Sequence, residues 1–202
     1  CQQARLVTST SSFRQNKALI YKKLWACVKA FEFEDALKIC MEYNVVPALV
    51  EMDRFINGLV MQRESRDQTY PSHKLDRRIK ALKRFRDHGC NPGQIIEKTT
   101  LKQGYSGKIL IVAIMGGVID RLTCLRSGDL WHREILQNTK NEIRDLGFSK
   151  SSVYELGGAN VRFETNKDIV IFGTSDDFGP CDKVCASKLI QQVFKDRNII
   201  VD

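Results

Sequence analysis

The stretch that most constrains the fold runs from residue 167 to residue 194, KDIVIFGTSDDFGPCDKVCASKLIQQVF. Residues 168–172 are a run of Ile, Val and Phe after one Asp, long enough for a buried strand but too short for a helix. The small and polar residues 173–177 favour a tight turn. We expect a helix to begin at Pro180, because the first position of a helix does not need its N–H. The apolar residues that follow have helical spacing: Val184, Leu189, Ile190 and Val193.

A strand that leads through a small-residue loop into a helix collects unpaired backbone N–H groups at one point. Such a point binds anions, phosphate above all, because the N–H dipoles face the negative charge. The alternative is an ordinary strand-to-helix connection with nothing bound. This stretch alone leaves both interpretations open.

The composition predicts a globular chain. Its 202 residues suffice for one large or two small domains, and 43% of them are hydrophobic. The longest apolar run, residues 109–119, includes two glycines and is too short to span a bilayer. The first residues include neither a Met nor a charged-then-apolar leader, so we expect a cytoplasmic protein and note that the chain can be a fragment. We also expect a monomer without membrane contact.

The seven cysteines resemble no disulfide framework, which fits a reducing compartment. Cys181 and Cys185 lie four apart, on one face of the helix expected from Pro180. The chain has no second Cys/His pair at zinc spacing. We therefore interpret both thiols as packing residues and expect no metal and no cofactor.

The positive charge belongs to the first half of the chain. Residues 1–104 hold 19 Lys/Arg and 11 Asp/Glu, a net charge of +8, whereas residues 105–202 hold 13 of each. This division predicts that the two halves face different partners.

The apolar spacing predicts an all-α N-terminal domain over residues 13–89, after a loose polar lead-in at residues 1–12. Residues 63–73 are polar, with a turn at Tyr70-Pro71. Residues 90–107 are rich in Gly and Thr, and we predict the linker there. Four helices are expected, over residues 13–31, 32–43, 48–61 and 74–88.

Residues 108–202 predict an α/β C-terminal domain, a mixed sheet flanked by two helices. The helices are expected over residues 132–146 and from Pro180. The turn-prone Gly157-Gly158-Ala159-Asn160 separates two of the strand-like segments. Strands are expected at residues 109–115, 153–156, 161–164, 168–172 and 198–201, with a second, shorter one at 122–125.

Residues 74–86, KLDRRIKALKRFR, carry seven basic residues and one acid, mainly off an apolar stripe. The simpler interpretation is a solvated amphipathic helix. The alternative is a contact with RNA or an acidic surface through phosphate groups. No aromatic platform for stacking bases is evident near this segment.

His132 follows Trp131 where the first helix of the second half begins. The positive end of the helix dipole disfavours the imidazolium there, so the ring stays neutral and able to attack phosphorus or accept a proton from water. Beside an N–H nest, such a ring is the minimum for phosphoryl transfer without metal. A helix-start histidine with no chemical role is the alternative.

Other phosphate chemistries lack their motifs. The chain has no Walker sequence, no dinucleotide fingerprint and no Cys-x5-Arg loop. Asp176-Asp177 could hold magnesium, but adjacent acids in a turn are more often solvated.

Four pieces in order carry a family resemblance. They are Lys108 before a strand, the pair Trp131-His132 opening a helix, the turn Leu156-Gly157-Gly158, and the segment 173–180, Gly-Thr-Ser-Asp-Asp-Phe-Gly-Pro. Residues 108–202 resemble the Janus/Ocnus family, to which protein phosphohistidine phosphatases belong. The resemblance implies a metal-independent hydrolase, a protein phosphatase that acts on phosphohistidine-containing proteins. The family's name also suggests a developmental role in sex differentiation.

The resemblance also implies the site. His132 matches the catalytic histidine, as nucleophile or as general base. Lys108, Ser175 and Thr174 match phosphate-binding positions, and Arg126 is the nearest match to a family arginine, after a one-residue gap.

The sequence departs from the family pattern at three positions. Asn160 stands where the family has an arginine that helps to bind phosphate. Asp176 and Asp177 add negative charge to the segment 173–180, and this charge would repel phosphate. Two alternatives therefore stay open: a Janus-type binding or regulatory protein with weak or lost activity, and RNA binding through the basic helical half.

Overall fold

A computed structural model describes the backbone of residues 3–65 and 72–202 and the side chains of residues 16–65 and 73–202. The predicted turn at Tyr70-Pro71 lies outside these residues. The chain divides into two compact units: Cys1–Ile95 with Asp145–Phe148, and Ile96–Arg144 with Ser149–Asp202. We call them the helical unit and the sheet unit. The domain bounds expected from the sequence stay predictions.

The described part of the helical unit confirms the all-α fold class. Its helices are α1 (Gln3–Ala30), α2 (Phe33–Tyr43), α3 (Leu49–Glu64), α4 (Ser72–His88) and α5 (Pro92–Ile95). The predicted lead-in at residues 1–12 is wrong, because α1 is helical from Gln3. No Gly or Pro interrupts residues 1–30, so a helix once nucleated can propagate at one hydrogen bond per residue.

The core of the helical unit collects the apolar stripes of its helices. Phe33 and Phe85 are fully buried and meet edge to face, with ring centroids 5.9 Å apart. The stripe predicted on α4 is buried as expected: Leu75, Ile79, Leu82 and Phe85. Gly89 ends this helix with a positive φ of 62°, and its N–H donates to the carbonyl of Phe85. None of the helices in the described part of the chain has an apolar stretch long enough to cross a membrane.

The sheet unit is α/β, as predicted, with a mixed sheet in the order β2-β1-β3-β4-β5. Only β4 and β5 run parallel; the other neighbours are antiparallel. Its elements are β1 (Gly107–Gly116), β2 (Ile119–Gly128), α6 (His132–Asp145), β3 (Ser152–Phe163), β4 (Asp168–Phe172), α7 (Lys183–Val193) and β5 (Asn198–Val201).

The two long helices of this unit contact opposite faces of the sheet. The faces are distinguished by the alternation of successive strand residues. Ile109 and Ile111 share a core with Ala186 and Ile190 of α7. On the other face, a Cβ at Gly128 would lie 3.3 Å from the Ile135 side chain of α6.

The expected break in β3 is wrong. Gly157-Gly158-Ala159-Asn160 lies inside one continuous strand, Ser152–Phe163, as an irregularity rather than a turn. Gly157 has φ of 94°, and a Cβ there would come within 2.2 Å of the Pro180 carbonyl oxygen. The glycine therefore serves a close approach of another segment, which a single-sequence pattern does not distinguish from a turn.

The expected helix start at Pro180 is also wrong. Helix α7 begins at Lys183, because the Asp182 carboxylate accepts hydrogen bonds from the N–H groups of Val184 and Cys185. Cys181 therefore precedes the helix rather than sharing a face with Cys185. It is buried in the α7-side core, and Cys185 packs against that core. The strand at 122–125 is also longer than expected, running from Ile119 to Gly128.

Candidate functional site

The loop that follows β4 packs against the middle of β3. The Gly158 N–H donates to the carbonyl of Gly179 at 3.0 Å, and the Cys181 N–H donates to the carbonyl of Gly158 at 3.3 Å. The two segments thus pair in parallel at Gly158 and Pro180. This pairing fixes the position of residues 173–180, which we call the phosphate loop.

The phosphate loop closes on itself through Ser175. The Gly179 N–H donates to the Ser175 carbonyl at 2.9 Å, and the Phe178 N–H donates to Ser175 Oγ at 3.2 Å. Because Oγ accepts here, its own proton remains available to a bound ligand. In the described part of the chain, the N–H groups of Asp176 and Asp177 have no hydrogen-bond partner. The turn therefore presents one hydroxyl and two N–H donors.

His132 is the first residue of α6 and is only 4% exposed. Its Nε2 lies 3.3 Å from the carbonyl oxygen of Ala159. A carbonyl only accepts, so the ring nitrogen that faces it carries a proton, and when the imidazole holds a single proton its other nitrogen has the lone pair. The Ala159 contact thus orients the ring and selects the nitrogen that can act on a substrate.

Gly158 brings the imidazole and the serine together. A Cβ on Gly158 would lie 2.6 Å from His132 Cδ2 and 2.8 Å from Ser175 Cβ. Both side chains therefore rest against the same bare stretch of backbone. Since no side chain separates them, His132 and Ser175 are neighbours across β3.

Lys108 lies on the same face of the sheet as Gly158. In the register, Lys108 stands opposite Gly128 on one side and opposite Asn160 on the other, and Asn160 is two residues beyond Gly158. The Lys108 ammonium nitrogen lies 5.3 Å from the ring centroid of Trp131. This cation–π contact holds the ammonium beside the residue that precedes His132.

Asp177 reaches across to the start of α6. Its Oδ2 lies 3.3 Å from the N–H of Arg133, the residue after His132. A carboxylate at this position is stabilised by the positive end of the helix dipole. The loop therefore supplies its own anion at a helix N-terminus where a phosphoryl oxygen could also be bound.

The sheet unit contains a recognisable family domain. A sequence model described as the Janus/Ocnus family, Ocnus, matches residues 96–198. The chain belongs to the Janus/Ocnus family. No curated protein sequence matches the chain.

The Janus/Ocnus domain brings together three of the residues predicted for the site: His132 and Ser175 meet at Gly158, and Lys108 lies on the same face. Thr174 is exposed in the phosphate loop, one residue before the buried Ser175. Asn160, the departure from the family arginine, stands beside Lys108. Its Nδ2 lies within 3.0 Å of the Cβ position of Gly173, which has φ of 70°.

Arg126, predicted to bind phosphate, lies in the interior of the sheet unit. It is 3% exposed and forms an ion pair with Glu142 of α6, with Nε 3.3 Å from Oε2. One of its terminal nitrogens donates to the Glu97 carbonyl at 2.7 Å. A guanidinium held this way links β2, α6 and residue 97, so we leave Arg126 out of the proposed phosphate site.

A buried thiol lies next to the phosphate loop, at Cys181. Burial raises the pKa of the Cys181 thiol, which follows the phosphate loop, so the thiol stays protonated near neutral pH and is a poor nucleophile. Among the described residues, no three His, Cys, Asp or Glu side chains are grouped to hold a metal ion.

Sequence reasoning missed Gly158 as the point of contact, and it treated Asn160 only as a loss. The Gly-Gly pair was visible, but the pattern favoured a turn. The position of Asn160 beside Lys108 follows from strand register, which the sequence did not reveal.

Proposed function

We propose that the Janus/Ocnus domain hydrolyses the P–N bond of phosphohistidine in proteins without a metal ion. The observation that carries the proposal is the meeting of the His132 imidazole and the Ser175 side chain at Gly158. His132 supplies a base or nucleophile, and Ser175 supplies a hydroxyl donor for a phosphoryl oxygen.

The phosphoryl group has donors of three kinds in this arrangement. Lys108 provides a positive charge, Ser175 an O–H, and Asp176 and Asp177 their backbone N–H groups. Fixed donors of this type stabilise the charge that develops on the phosphoryl oxygens during transfer. Asn160 adds an amide that is neutral where an arginine would be charged.

His132 supports two routes with the same geometry. In the first, its lone-pair nitrogen attacks phosphorus, the bond to the substrate imidazole breaks, that imidazole takes up a proton, and water then hydrolyses the phosphorylated His132. In the second, the same nitrogen accepts a proton from the water that attacks phosphorus. Trapping an acid-labile phosphoenzyme separates the two routes.

The test is hydrolysis of a phosphohistidine peptide in EDTA, followed by ³¹P NMR. We expect the wild-type chain to release inorganic phosphate and His132→Ala to lose at least ~100-fold in rate, the usual range for removing such a group. His88→Ala is the matched control, because His88 is exposed at the end of α4. Equal rates in the wild type and His132→Ala would contradict the proposal.

A second candidate is a Janus-type domain that binds its partner without turnover. The Asp177 contact at the start of α6 favours it, since this carboxylate lies where phosphate would compete. Absence of hydrolysis in the wild type, together with retained binding of the phosphohistidine peptide, would select this candidate.

A further inference from the structure

The helical unit contains an open groove between α1 and α3, with a volume of about 540 Å³. We call it the aromatic groove. Three rings and two cations contribute to its lining, along with one carboxylate, and all six residues lie in the described part of the chain: Tyr21, Trp25, Lys29, Glu51, Arg54 and Phe55. This mixture of flat rings and positive charge differs from an ordinary apolar cleft.

The rings of the groove continue into a longer row. Trp25 meets Phe55 edge to face at a centroid distance of 6.4 Å, and Phe55 stacks on Phe31 at 6.0 Å with an interplanar angle of 30°. The Arg78 guanidinium of α4 lies 4.2 Å from the centre of the Phe31 ring. Arg78 of the basic helix α4 therefore lies at one end of a row of three aromatic rings. The sequence of that helix alone did not reveal these rings.

Phe31, at the end of the row of rings, has an unfavourable backbone conformation. Its φ is 59°, and it closes α1 at the position where helices usually have glycine. The Glu32 N–H donates to the Cys27 carbonyl, and the Phe31 N–H donates to the Val28 carbonyl, which is the Schellman pattern. A bulky residue in this conformation marks strain that the surroundings must compensate, and such strain often accompanies a binding role.

Some polar groups of the aromatic groove have hydrogen-bond partners within the described part of the chain, and others do not. Tyr21 donates its O–H to Glu51 at 2.8 Å and accepts from the Ala48 N–H at 2.7 Å, so the carboxylate is hydrogen-bonded. The cations of Lys29 and Arg54 have no acidic partner among the described residues, and both side chains are exposed. The Trp25 Nε1–H is buried without a hydrogen-bond acceptor in the described part of the chain.

We propose that the aromatic groove binds single-stranded nucleic acid. Bases stack against Trp25 and Phe55, and backbone phosphates meet Lys29 and Arg54. Trp25 and Phe55 are half-buried and line the open groove, so they can stack with bases, while the exposed Lys29 and Arg54 can meet backbone phosphates.

An acidic peptide matches this groove less well. Its carboxylates would pair with Lys29 and Arg54, but acidic side chains have no aromatic ring to stack on Trp25 and Phe55. The net charge of +8 over residues 1–104 supports a phosphate-bearing partner for this half of the chain.

The test measures binding of a fluorescein-labelled 12-nucleotide oligouridine to the full chain by anisotropy, over a series of salt concentrations. The double variant Lys29→Gln/Arg54→Gln should lose at least about tenfold in affinity and flatten the log–log salt slope by about 1.4, since each phosphate contact on a single strand contributes about 0.7. Trp25→Leu removes the flat ring but keeps an apolar side chain, and it should weaken binding at least about fivefold, because stacking of a base on an aromatic ring is lost.

The matched control is Lys22→Gln/Lys23→Gln, which removes two exposed charges from α1 outside the groove. We expect it to change the affinity less than about threefold. An equal loss in both double variants would overturn the proposal, because it would mean charge attraction without a site. Failure to bind the RNA, or preference for a polyglutamate 12-mer, would overturn it as well.

Discussion

Asp177 lies at the start of α6, beside the proposed site. Its carboxylate accepts the Arg133 N–H at the start of α6, next to His132. The sequence suggested only that acidic residues near phosphate repel it. The structure adds a specific contact in which the residue occupies an anion position.

We expect Asp177→Ala to bind inorganic phosphate about fivefold more tightly than the wild type. The reason is that a carboxylate about 4 Å from a phosphate costs about 1 kcal/mol even in water. The same change removes a contact at the helix N-terminus, so the free energy of unfolding should fall by about 0.3–1 kcal/mol. Phosphate affinity is measured by ³¹P NMR titration and stability by urea unfolding.

Asp176→Ala is the control for this measurement. Asp176 is exposed, and its side chain forms no hydrogen bond or ion pair among the described residues, so its substitution mainly changes the net charge. We expect a smaller gain in affinity than for Asp177→Ala. Unchanged phosphate affinity in Asp177→Ala would mean that the loop binds no phosphate.

At the scale of elements, the site depends on the docking of the phosphate loop onto β3. The loop pairs with β3 at Gly158, and both His132 and Ser175 fill the space where a side chain at that position would stand. Gly158 and Ser175, which are 17 residues apart in the chain, and His132, which is 26 residues before Gly158, are thereby held at one point.

Gly158→Ala should separate these elements. The added methyl would lie 2.6 Å from the His132 ring and 2.8 Å from the Ser175 side chain, both too close for carbon atoms, so one of them must shift. We expect a loss of about 1–3 kcal/mol in the free energy of unfolding from overpacking. We also expect phosphohistidine hydrolysis to fall at least ~100-fold, since small displacements of reacting groups have effects of this size.

Gly58→Ala is the matched control for this substitution. Gly58 lies inside α3 and a Cβ there meets no atom within 4 Å, so the variant should be about 0.5–1 kcal/mol more stable and fully active. Both quantities are measured by urea unfolding and by phosphate release. Wild-type hydrolysis in Gly158→Ala would show that the two side chains need not meet.

At the scale of the whole chain, the structure divides into two compact units, and the two halves of the sequence differ in charge. The positive excess lies within residues 1–104, which include the aromatic groove, whereas the Janus/Ocnus domain is nearly balanced. This division fits two partners of different chemistry. The linker predicted at residues 90–107 would then separate two cooperative units.

Hydrogen exchange can test that division. Leu82→Ala in the helical unit and Ile171→Ala in the sheet unit each remove a fully buried side chain, at a cost of about 2–5 kcal/mol. We expect exchange followed by mass spectrometry to accelerate in residues 3–89 for the first variant and in residues 108–202 for the second. If both segments respond equally to each variant, the chain unfolds as one unit and the predicted linker is wrong.

Much of the fold followed from the sequence alone. Strands at residues 168–172 and 198–201, a helix starting at His132 and the buried stripe of α4 were all predicted and are all present. These features depend on periodicity and on propensity over a few neighbouring residues, which a single sequence displays directly. The family resemblance likewise depended on short motifs in a fixed order.

Only the tertiary structure decided which residues share a site. The strand register places Lys108 opposite Asn160. The phosphate loop packs on Gly158, which was predicted to lie in a turn, and His132 and Ser175 meet there. Arg126 is buried and forms an ion pair with Glu142. Such contacts join segments tens of residues apart, and their geometry depends on strand register and packing. A shift of one residue reverses the face of every side chain on a strand, so local patterns leave these contacts open.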